Sequence, residues 1–292
     1  MNKLSFSIAL FFFGLFTANF VRAQDIEPKI IDRMPLVKPK TGFYGSAPVE
    51  QRGAEFRRWL APSVKIAVSD GSGSGTIVYY DHAKNMAYVA SCGHLWEGTK
   101  GAEECLKRQM TCKIITWYHN SEKLAEPKTY NAKVIFYSNV SGHDTSLVTF
   151  QPDWVPDYFP IAPKNYKYIK GNMLHSLGCD GGDEVAHYEV EVVGVIGESL
   201  TTIRNSPRPG RSGGGLMNDN MYVATCWATS IYKGVGEGYF TPIESIHEVW
   251  SGNGYGFLLN IKPNGVLAKK IKIIDKSERQ KTYDEDYILL PN

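Results

Sequence analysis

Short segments rich in Val, Ile, Tyr and Thr recur along the middle of the chain, and Gly, Asp, Asn or Ser interrupts between them. This pattern is typical of β-strands joined by turns. A first set of six predicted strands covers Val64–Val68, Gly75–Tyr80, Met86–Ala90, Lys113–Tyr118, Asn131–Tyr137 and Thr145–Phe150. A second set covers Asn172–Leu177, His187–Ile196, Leu200–Arg204, Gly215–Met217, Tyr222–Ala228 and Tyr239–Thr241. With a Pro-rich bridge over 151–166 between them, the two sets predict an all-β fold of two six-stranded antiparallel barrels.

The pattern changes on either side of the predicted strands. Val49–Leu60 could form a short helix at the end of a Pro-rich arm, and Pro242–Trp250 has the spacing of a C-terminal helix. The predicted organisation is a signal peptide (1–23), an arm or pro-segment (24–61), an N-terminal barrel (62–155), a C-terminal barrel with its helix (156–250) and a tail (251–292).

The N-terminus has the features of a secretory signal. Lys3 precedes an apolar run from Leu4 to Phe20, and small or modest side chains lead to Ala23. The alternative is an uncleaved anchor helix, but the run is short for a membrane span of about 20 residues. We therefore expect cleavage after Ala23, a secreted or periplasmic protein, and no membrane association once the signal is removed.

Composition narrows the function classes. The 32 Lys and Arg residues nearly balance the 30 Asp and Glu residues, which argues against nucleic acid as the main partner. The five Cys and seven His residues show neither Cys-x-x-Cys nor His-Glu-x-x-His spacing, so we expect no metal and no cofactor. Cys105 and Cys112 could bridge a loop, and the remaining cysteines could equally be buried free thiols. We expect a monomer.

Two further segments have ordinary explanations. Gly71–Gly75 lacks the Lys-Ser/Thr continuation of a phosphate-binding loop and leads into a strand, so we expect it to form a turn. Asp180 and Asp183 lie in a Gly-rich turn, where two carboxylates more often face solvent than bind calcium.

The chemistry is concentrated in three places. Ser212 lies in the run Pro207–Gly215, where glycines permit a sharp bend and let neighbouring N–H groups converge on one point. Because a serine is a weak nucleophile alone, it needs a general base and a group that orients the base. His94 follows a strand of small residues, and Asp144 opens an apolar strand. His143, next to Asp144, is the competing histidine, and we expect it to lie in solvent.

The order His, Asp, Ser, each in this local setting, resembles the trypsin-like (chymotrypsin-fold) serine proteases. The similarity is nearest to the bacterial glutamyl endopeptidases and periplasmic heat-shock proteases. It is carried by Ser91-Cys92-Gly93-His94, by Asp144 with Leu147-Val148, and by Gly-x-Ser-Gly-Gly over 210–214. Gly71–Gly75 and the segment 177–182 resemble glycine-marked segments of the same families. The resemblance spans about Val64 to Trp250.

The resemblance implies a serine endopeptidase with an active site between the barrels and a polypeptide substrate. Ser212 would be the nucleophile, His94 the general base, and Asp144 the group that fixes the His94 tautomer. The N–H groups of Gly210 and Ser212 would form the oxyanion hole. Substrate would contact Ser206, Pro207, Thr225, Cys226, Trp227 and Ala228.

Several points depart from the family or stay open. Arg211 stands where animal digestive proteases have an aspartate that captures a new N-terminus, so that activation route is not expected. Cys226 lies near a position that is often a serine supporting the triad aspartate. No acidic residue lies within Asn205–Pro209, which disfavours Lys or Arg at the cleaved position. The arm can be a removable pro-segment or a permanent part of the structure.

Two other functions compete with this interpretation. Gly-x-Ser-x-Gly also fits the nucleophile turn of an α/β-hydrolase, but residues 213–220 are poor helix formers and no β/α alternation follows. The alternative from another class is a catalytically inactive, protease-like binding or scaffold module. Such a module would normally lack a triad member or the glycines, and both are present here.

Overall fold

A computed structural model describes residues 59–69, 71–97, 111–119, 122–218, 221–232 and 235–261. The first barrel consists of β1 (Ser63–Val68), β2 (Gly71–Asp81), β3 (Met86–Ser91), β4 (Thr111–His119), β5 (Glu122–Ser138) and β6 (Thr145–Phe150). Its strands pair in the order β1-β2-β3-β6-β5-β4 and close on themselves through the antiparallel β1–β4 pair.

The second barrel repeats this connectivity. It consists of β7 (Met173–Gly178), β8 (Ala186–Ile196), β9 (Ser199–Ile203), β10 (Gly215–Asn218), β11 (Met221–Tyr232) and β12 (Val235–Pro242). The strands pair in the order β7-β8-β9-β12-β11-β10, which is that of the first barrel with six added to each number. The predicted all-β fold of two six-stranded antiparallel barrels is confirmed.

Several strands are longer than the hydrophobic pattern predicts, and β2 and β5 show why. β2 begins at Gly71, and Gly71 to Ser74 pair with β1, so the expected turn at 71–75 is wrong. β5 begins at Glu122 rather than Asn131, and most of its added residues are exposed. Hydrogen bonds to β4 hold this extension, and exposed residues of that kind leave no apolar alternation in the sequence.

Apolar side chains from alternating strand positions fill both barrels. The fully buried residues include Val64, Ile66, Ile77, Val89 and Val148 in the first barrel and Val190, Leu200, Leu216, Val223 and Phe240 in the second. Burial of each such side chain contributes about 1.5 to 3 kcal/mol before conformational entropy is counted. The two cores make the barrels rigid supports for the loops between strands.

The bridge over 151–166 connects the two barrels, and the C-terminal helix follows the second barrel. The N–H of Phe159 donates to Ile77 of β2 (3.0 Å), and the N–H of Ala162 donates to Tyr222 of β11 (2.9 Å). The predicted helix is confirmed as α1 (Ile243–Gly252), whose Ile243, Ile246 and Trp250 are fully buried. None of the described helices combines the length and apolarity needed to cross a lipid bilayer.

Several expectations fall on residues that lie outside the described ranges. These are the signal peptide, nearly all of the arm including its predicted helix before residue 59, Cys105, and the tail beyond residue 261. At the inner edge of the arm, the Trp59 ring lies 3.8 Å from the ring centroid of His175, and Leu60 is fully buried. Cys92, Cys179 and Cys226 are buried free thiols.

Candidate active site

The imidazole of His94 and the carboxylate of Asp144 lie against each other at the edge of the first barrel. A 3₁₀ turn begins at His94, three residues after β3 ends, and Asp144 directly precedes β6. Because β3 and β6 are hydrogen-bonded neighbours, these two ends bring the side chains together. Nδ1 of His94 lies 2.6 Å from Oδ2 of Asp144.

The Asp144 carboxylate is fixed by main-chain donors. Its Oδ1 accepts the N–H of Gly93 and the N–H of His94, the latter at 3.0 Å. The Thr241 hydroxyl of β12 also donates to the Asp144 carbonyl oxygen at 2.8 Å, which ties this loop to the second barrel. With Oδ2 accepting from Nδ1, the neutral His94 ring carries its proton on Nδ1 and leaves Nε2 as a base. No sequence pattern indicates the Thr241 contact.

Cys92 adds a sulfur atom beside the other ring nitrogen. Its Sγ lies 3.7 Å from Nε2 of His94, and its side chain is fully buried. Burial by itself lowers the pKa of His94, but the Cys92 sulfur and the Asp144 carboxylate stabilise the charged ring more strongly. Together they hold the pKa of His94 well above its usual value.

Ser212 directly follows a tight turn over residues 208–211, between β9 and β10. The N–H of Arg211 donates to the carbonyl of Arg208 at 3.0 Å, and Gly210 has φ +89°. These features define a type II turn with Pro209 and Gly210 at its centre. A Cβ on Gly210 would come within 2.5 Å of the Cys179 carbonyl oxygen, so both backbone angle and space require glycine here.

The central peptide of this turn has a fixed direction. The Pro209 carbonyl accepts the N–H of Gly181 at 2.6 Å, so the N–H of Gly210 points to the opposite side of the turn. Among the described residues, neither the N–H of Gly210 nor that of Ser212 has an acceptor. Two unused backbone donors beside a serine hydroxyl are suited to bind a developing oxyanion.

Ser74 of β2 joins the first barrel to residues 208–214, the Ser212 turn. Its N–H donates to the Ser212 carbonyl, and its hydroxyl donates to the Gly210 carbonyl, both at 2.7 Å. The same hydroxyl accepts the N–H of Cys179 at 2.8 Å. Because Ser74 is fully buried, these contacts form a rigid link between the barrels. Sequence reasoning placed Ser74 in a turn and gave it no part in the site.

The Ser212 hydroxyl makes no hydrogen bond to His94 within the part of the chain that the structure describes. Nε2 of His94 instead has Cys92 Sγ as its neighbour. Contacts between nucleophile and base are often long without substrate and tighten in the complex. The lack of a hydrogen bond between Ser212 and His94 is therefore compatible with the two side chains acting together in one reaction.

The expected substrate residues fall into two groups. The side chains of Thr225 and Cys226 are buried, and their backbones are bonded to neighbouring segments on both sides. From Trp227 onward, β11 pairs only with β12 among the described strands, so one edge of residues 227–230 is open. An open strand edge can pair with an extended peptide.

Ser206 and Pro207 pack against β12, the strand that pairs with β11. Glycines of β12 make room for them, since a Cβ on Gly236 would meet the Ser206 side chain and one on Gly238 would meet the Pro207 ring. The loop before the Ser212 turn thus packs directly onto β12.

Cys92, His94 and Asp144 also form a set of possible metal ligands. One ligand atom from each lies within 4.8 Å of the others, and thiolate, imidazole and carboxylate all bind Zn²⁺. However, Asp144 and Cys92 contact different nitrogens of the His94 ring. An ion held by all three would have to replace the His94–Asp144 hydrogen bond, so the arrangement fits proton transfer better.

Asp180, Asp183 and His143 were all expected to face solvent. Asp180 does not face solvent as expected, because it pairs with the buried guanidinium of Arg211 at 2.7 Å, whereas Asp183 is exposed. His143 is partly exposed, and its Nε2 lies 3.8 Å from Glu248 on α1 rather than beside Asp144.

The comparisons with known proteins concern the fold. No family model and no curated protein matches the chain. The serine endoprotease of Yersinia pestis is similar over 70% of this chain, with a TM-score of 0.51 and 16% identity. The similarity spans 66% of that protein, just under two thirds of its length.

Two further structures agree with this result. An inactive mutant form of Rv3671c from M. tuberculosis has a TM-score of 0.50 at 15% identity, over 72% of this chain and 92% of that one. Deg5 has a TM-score of 0.50 at 15% identity, over 66% of this chain and 89% of that one. With its two closed barrels of identical strand order, the chain has the chymotrypsin fold of the trypsin-like serine proteases.

Proposed function

We propose that the protein is a serine endopeptidase that cleaves polypeptides through Ser212, His94 and Asp144. The observation that carries the proposal is the 2.6 Å contact between His94 and Asp144. The structure also contains the Gly-x-Ser-Gly-Gly segment over 210–214. In this segment the N–H groups of Gly210 and Ser212 have no acceptor among the described residues. A base, an orienting carboxylate, a nucleophile and an oxyanion site are the parts that acyl transfer requires.

The proposed reaction has two steps. Nε2 of His94 takes the proton of the Ser212 hydroxyl while Oγ attacks the peptide carbonyl carbon, and the N–H groups of Gly210 and Ser212 stabilise the oxyanion. The C–N bond then breaks as His94 returns the proton to the leaving amine, which leaves an acyl ester on Ser212. Water, deprotonated by His94, hydrolyses that ester and restores the enzyme.

Substrate binding follows from the open edge of β11. A peptide extended along Trp227 and Ala228 would add a strand there, and main-chain hydrogen bonds would align its carbonyl with Ser212. Ser206 and Pro207 would border the pocket for the residue before the cleaved bond, and the buried Thr225 and Cys226 would support this strand from behind.

The proposal includes export from the cytoplasm. Its support is the sequence of residues 1–23, with a basic start, an apolar run and Ala23 at the cleavage position. Expression of the full chain with a C-terminal tag, followed by mass measurement of the exported protein, would show whether Gln24 becomes the first residue.

The test uses protein expressed from Gln24 and a fluorophosphonate probe that labels activated serines. We expect labelling of the wild type and none of Ser212→Ala, with hydrolysis of casein lost in parallel. Ser251→Ala, which removes an exposed hydroxyl at the end of α1, is the matched control and should label normally.

The competing function is a protease-like binding or scaffold module, and the missing Ser212–His94 hydrogen bond is the observation that favours it. Folded wild-type protein that neither labels nor hydrolyses casein would support the module and contradict the peptidase.

A further inference from the structure

Arg211 is fully buried although its side chain is charged. It lies between Gly210 and Ser212, the two residues whose N–H groups would form the oxyanion hole. Its Nε donates to Oδ1 of Asp180 at 2.7 Å, and its Nη2 donates to Oδ2 at 3.0 Å. A guanidinium that meets a carboxylate through two parallel hydrogen bonds is fixed in direction as well as position.

The rest of the guanidinium is also enclosed. Nη1 donates to the Ser176 carbonyl of β7 at 3.0 Å. The Cζ atom lies 4.2 Å from the centroid of the Tyr188 ring of β8. Since Asp180 lies in the loop between β7 and β8, all three contacts belong to the β7–β8 hairpin of the second barrel. The Arg211 side chain therefore anchors the Ser212 turn to that hairpin.

The loop that carries Asp180 holds the same turn at a second point. The N–H of Gly181 donates to the Pro209 carbonyl, which sets the direction of the Gly210 N–H. The turn also packs closely on this loop, because a Cβ on Gly210 would meet Cys179 and Gly182. Residues 179–182 thus fix both the Pro209–Gly210 peptide and the side chain of Arg211.

We propose that the buried Arg211–Asp180 ion pair is the positioning pair of the oxyanion hole. It holds the N–H groups of Gly210 and Ser212 in the direction that an oxyanion requires. Both charges of the pair belong to the second barrel. Neither side chain contacts substrate, and both act through the turn. This inference rests on the proposed peptidase function.

Asp180→Asn tests the pair with little change of shape. We expect kcat to fall about 10- to 100-fold with KM nearly unchanged, because the hole acts on the transition state. A peptide aldehyde, whose bound oxygen occupies the hole, should lose affinity by a similar factor. Arg211→Lys should retain more activity than Arg211→Met. Glu191→Gln, which breaks the exposed Glu191–Arg204 pair on β8, is the matched control and should retain full kcat.

A second variant and a second measurement keep the test decisive. Asp180→Asn with Arg211→Met leaves no single buried charge, so this double variant should fold even if a single variant does not. Folded variants that retain kcat within about twofold, with aldehyde affinity intact, would overturn the proposal. Hydrogen exchange of the 208–214 amides should also be faster in the variants. That measurement tests the anchor even if the wild type proves inactive, and unchanged exchange would likewise overturn it.

Discussion

Nδ1 of His94 lies 2.6 Å from Oδ2 of Asp144, although the two residues are 50 positions apart in the chain. The pairing of β3 with β6 produces this contact, since the residues before His94 and after Asp144 are hydrogen-bonded neighbours. The proposed base and its proposed orienting carboxylate thus belong to one barrel, whereas Ser212 is carried by the other. Any reaction that uses all three depends on how the barrels are joined.

Substitution of the proposed triad should abolish peptide hydrolysis without unfolding the protein. We expect Ser212→Ala and His94→Ala each to lower kcat by about 10⁴-fold or more, and Asp144→Asn by about 10⁴-fold, because the three act as a unit. Steady-state kinetics together with thermal unfolding would measure both properties. His143→Ala is the control, and a loss as large as that of His94→Ala would mean that the base is wrongly assigned.

The pH dependence should report the raised pKa of His94. His94 must be neutral to accept the Ser212 proton, so kcat/KM should fall as the pH drops through a value above the usual 6.5 of histidine. In Cys92→Ala, which removes the sulfur 3.7 Å from Nε2, this acidic limb should move to lower pH. Cys92→Ser provides a comparison with a hydroxyl in place of the sulfur. A wild-type limb at or below pH 6.5, or no movement in Cys92→Ala, would contradict the assignment.

The raised pKa of His94 should also make the free energy of unfolding depend on pH. Because the folded state binds the His94 proton more tightly than the unfolded state, its contribution is fully present below about pH 6.5 and is lost as pH rises through the folded pKa. Equilibrium unfolding of wild type and His94→Gln at pH 5.5 and pH 9 should therefore differ more at the lower pH.

Loss of the Ser74 hydroxyl should weaken both stability and activity. Ser74→Ala leaves the Gly210 carbonyl and the Cys179 N–H without their partner. We expect the free energy of unfolding to fall by about 2 kcal/mol, with a lower kcat because the Ser212 turn loses its link to the first barrel. Urea unfolding and kinetics would measure the two effects. Ser72→Ala, two residues away in β2, should change neither, and an equal effect there would argue against the link.

Gly93→Ala should disturb Asp144 through the backbone. A Cβ at this position would lie 1.8 Å from the Ser138 carbonyl oxygen, so the segment that donates to Asp144 must shift. We expect a loss of about 2 to 3 kcal/mol in the free energy of unfolding, together with reduced kcat. Gly252→Ala, where nothing lies within 4 Å of the added carbon, should stay within about 0.5 kcal/mol of the wild type. Near-normal behaviour of Gly93→Ala would show that the Asp144 loop tolerates movement.

Local patterns in the sequence were sufficient for the architecture, and they pointed to the three residues that we propose as the catalytic triad. Short runs rich in Val, Ile, Tyr and Thr, separated by turn residues, predicted the twelve strands that the structure describes, because such residues suit the buried positions of a barrel. The settings of His94, Asp144 and Ser212 were visible because each lies beside its own strand end or glycine turn. The exposed start of β5 was missed because burial, the source of the pattern, is absent there.

The contacts that hold the site together were decided by tertiary structure alone. Ser74 meets Gly210 across 136 positions and Cys179 across 105, and Thr241 meets Asp144 across 97. Asp180 in a Gly-rich turn has the local features of a solvent-facing residue. It becomes the partner of Arg211 only because the closing of the second barrel brings β7 beside β10. Residue type and spacing in the sequence indicate which side chains are suited to react. Barrel closure decides which other residues hold those side chains in place, because hydrogen bonds between distant segments leave no periodic pattern in the sequence.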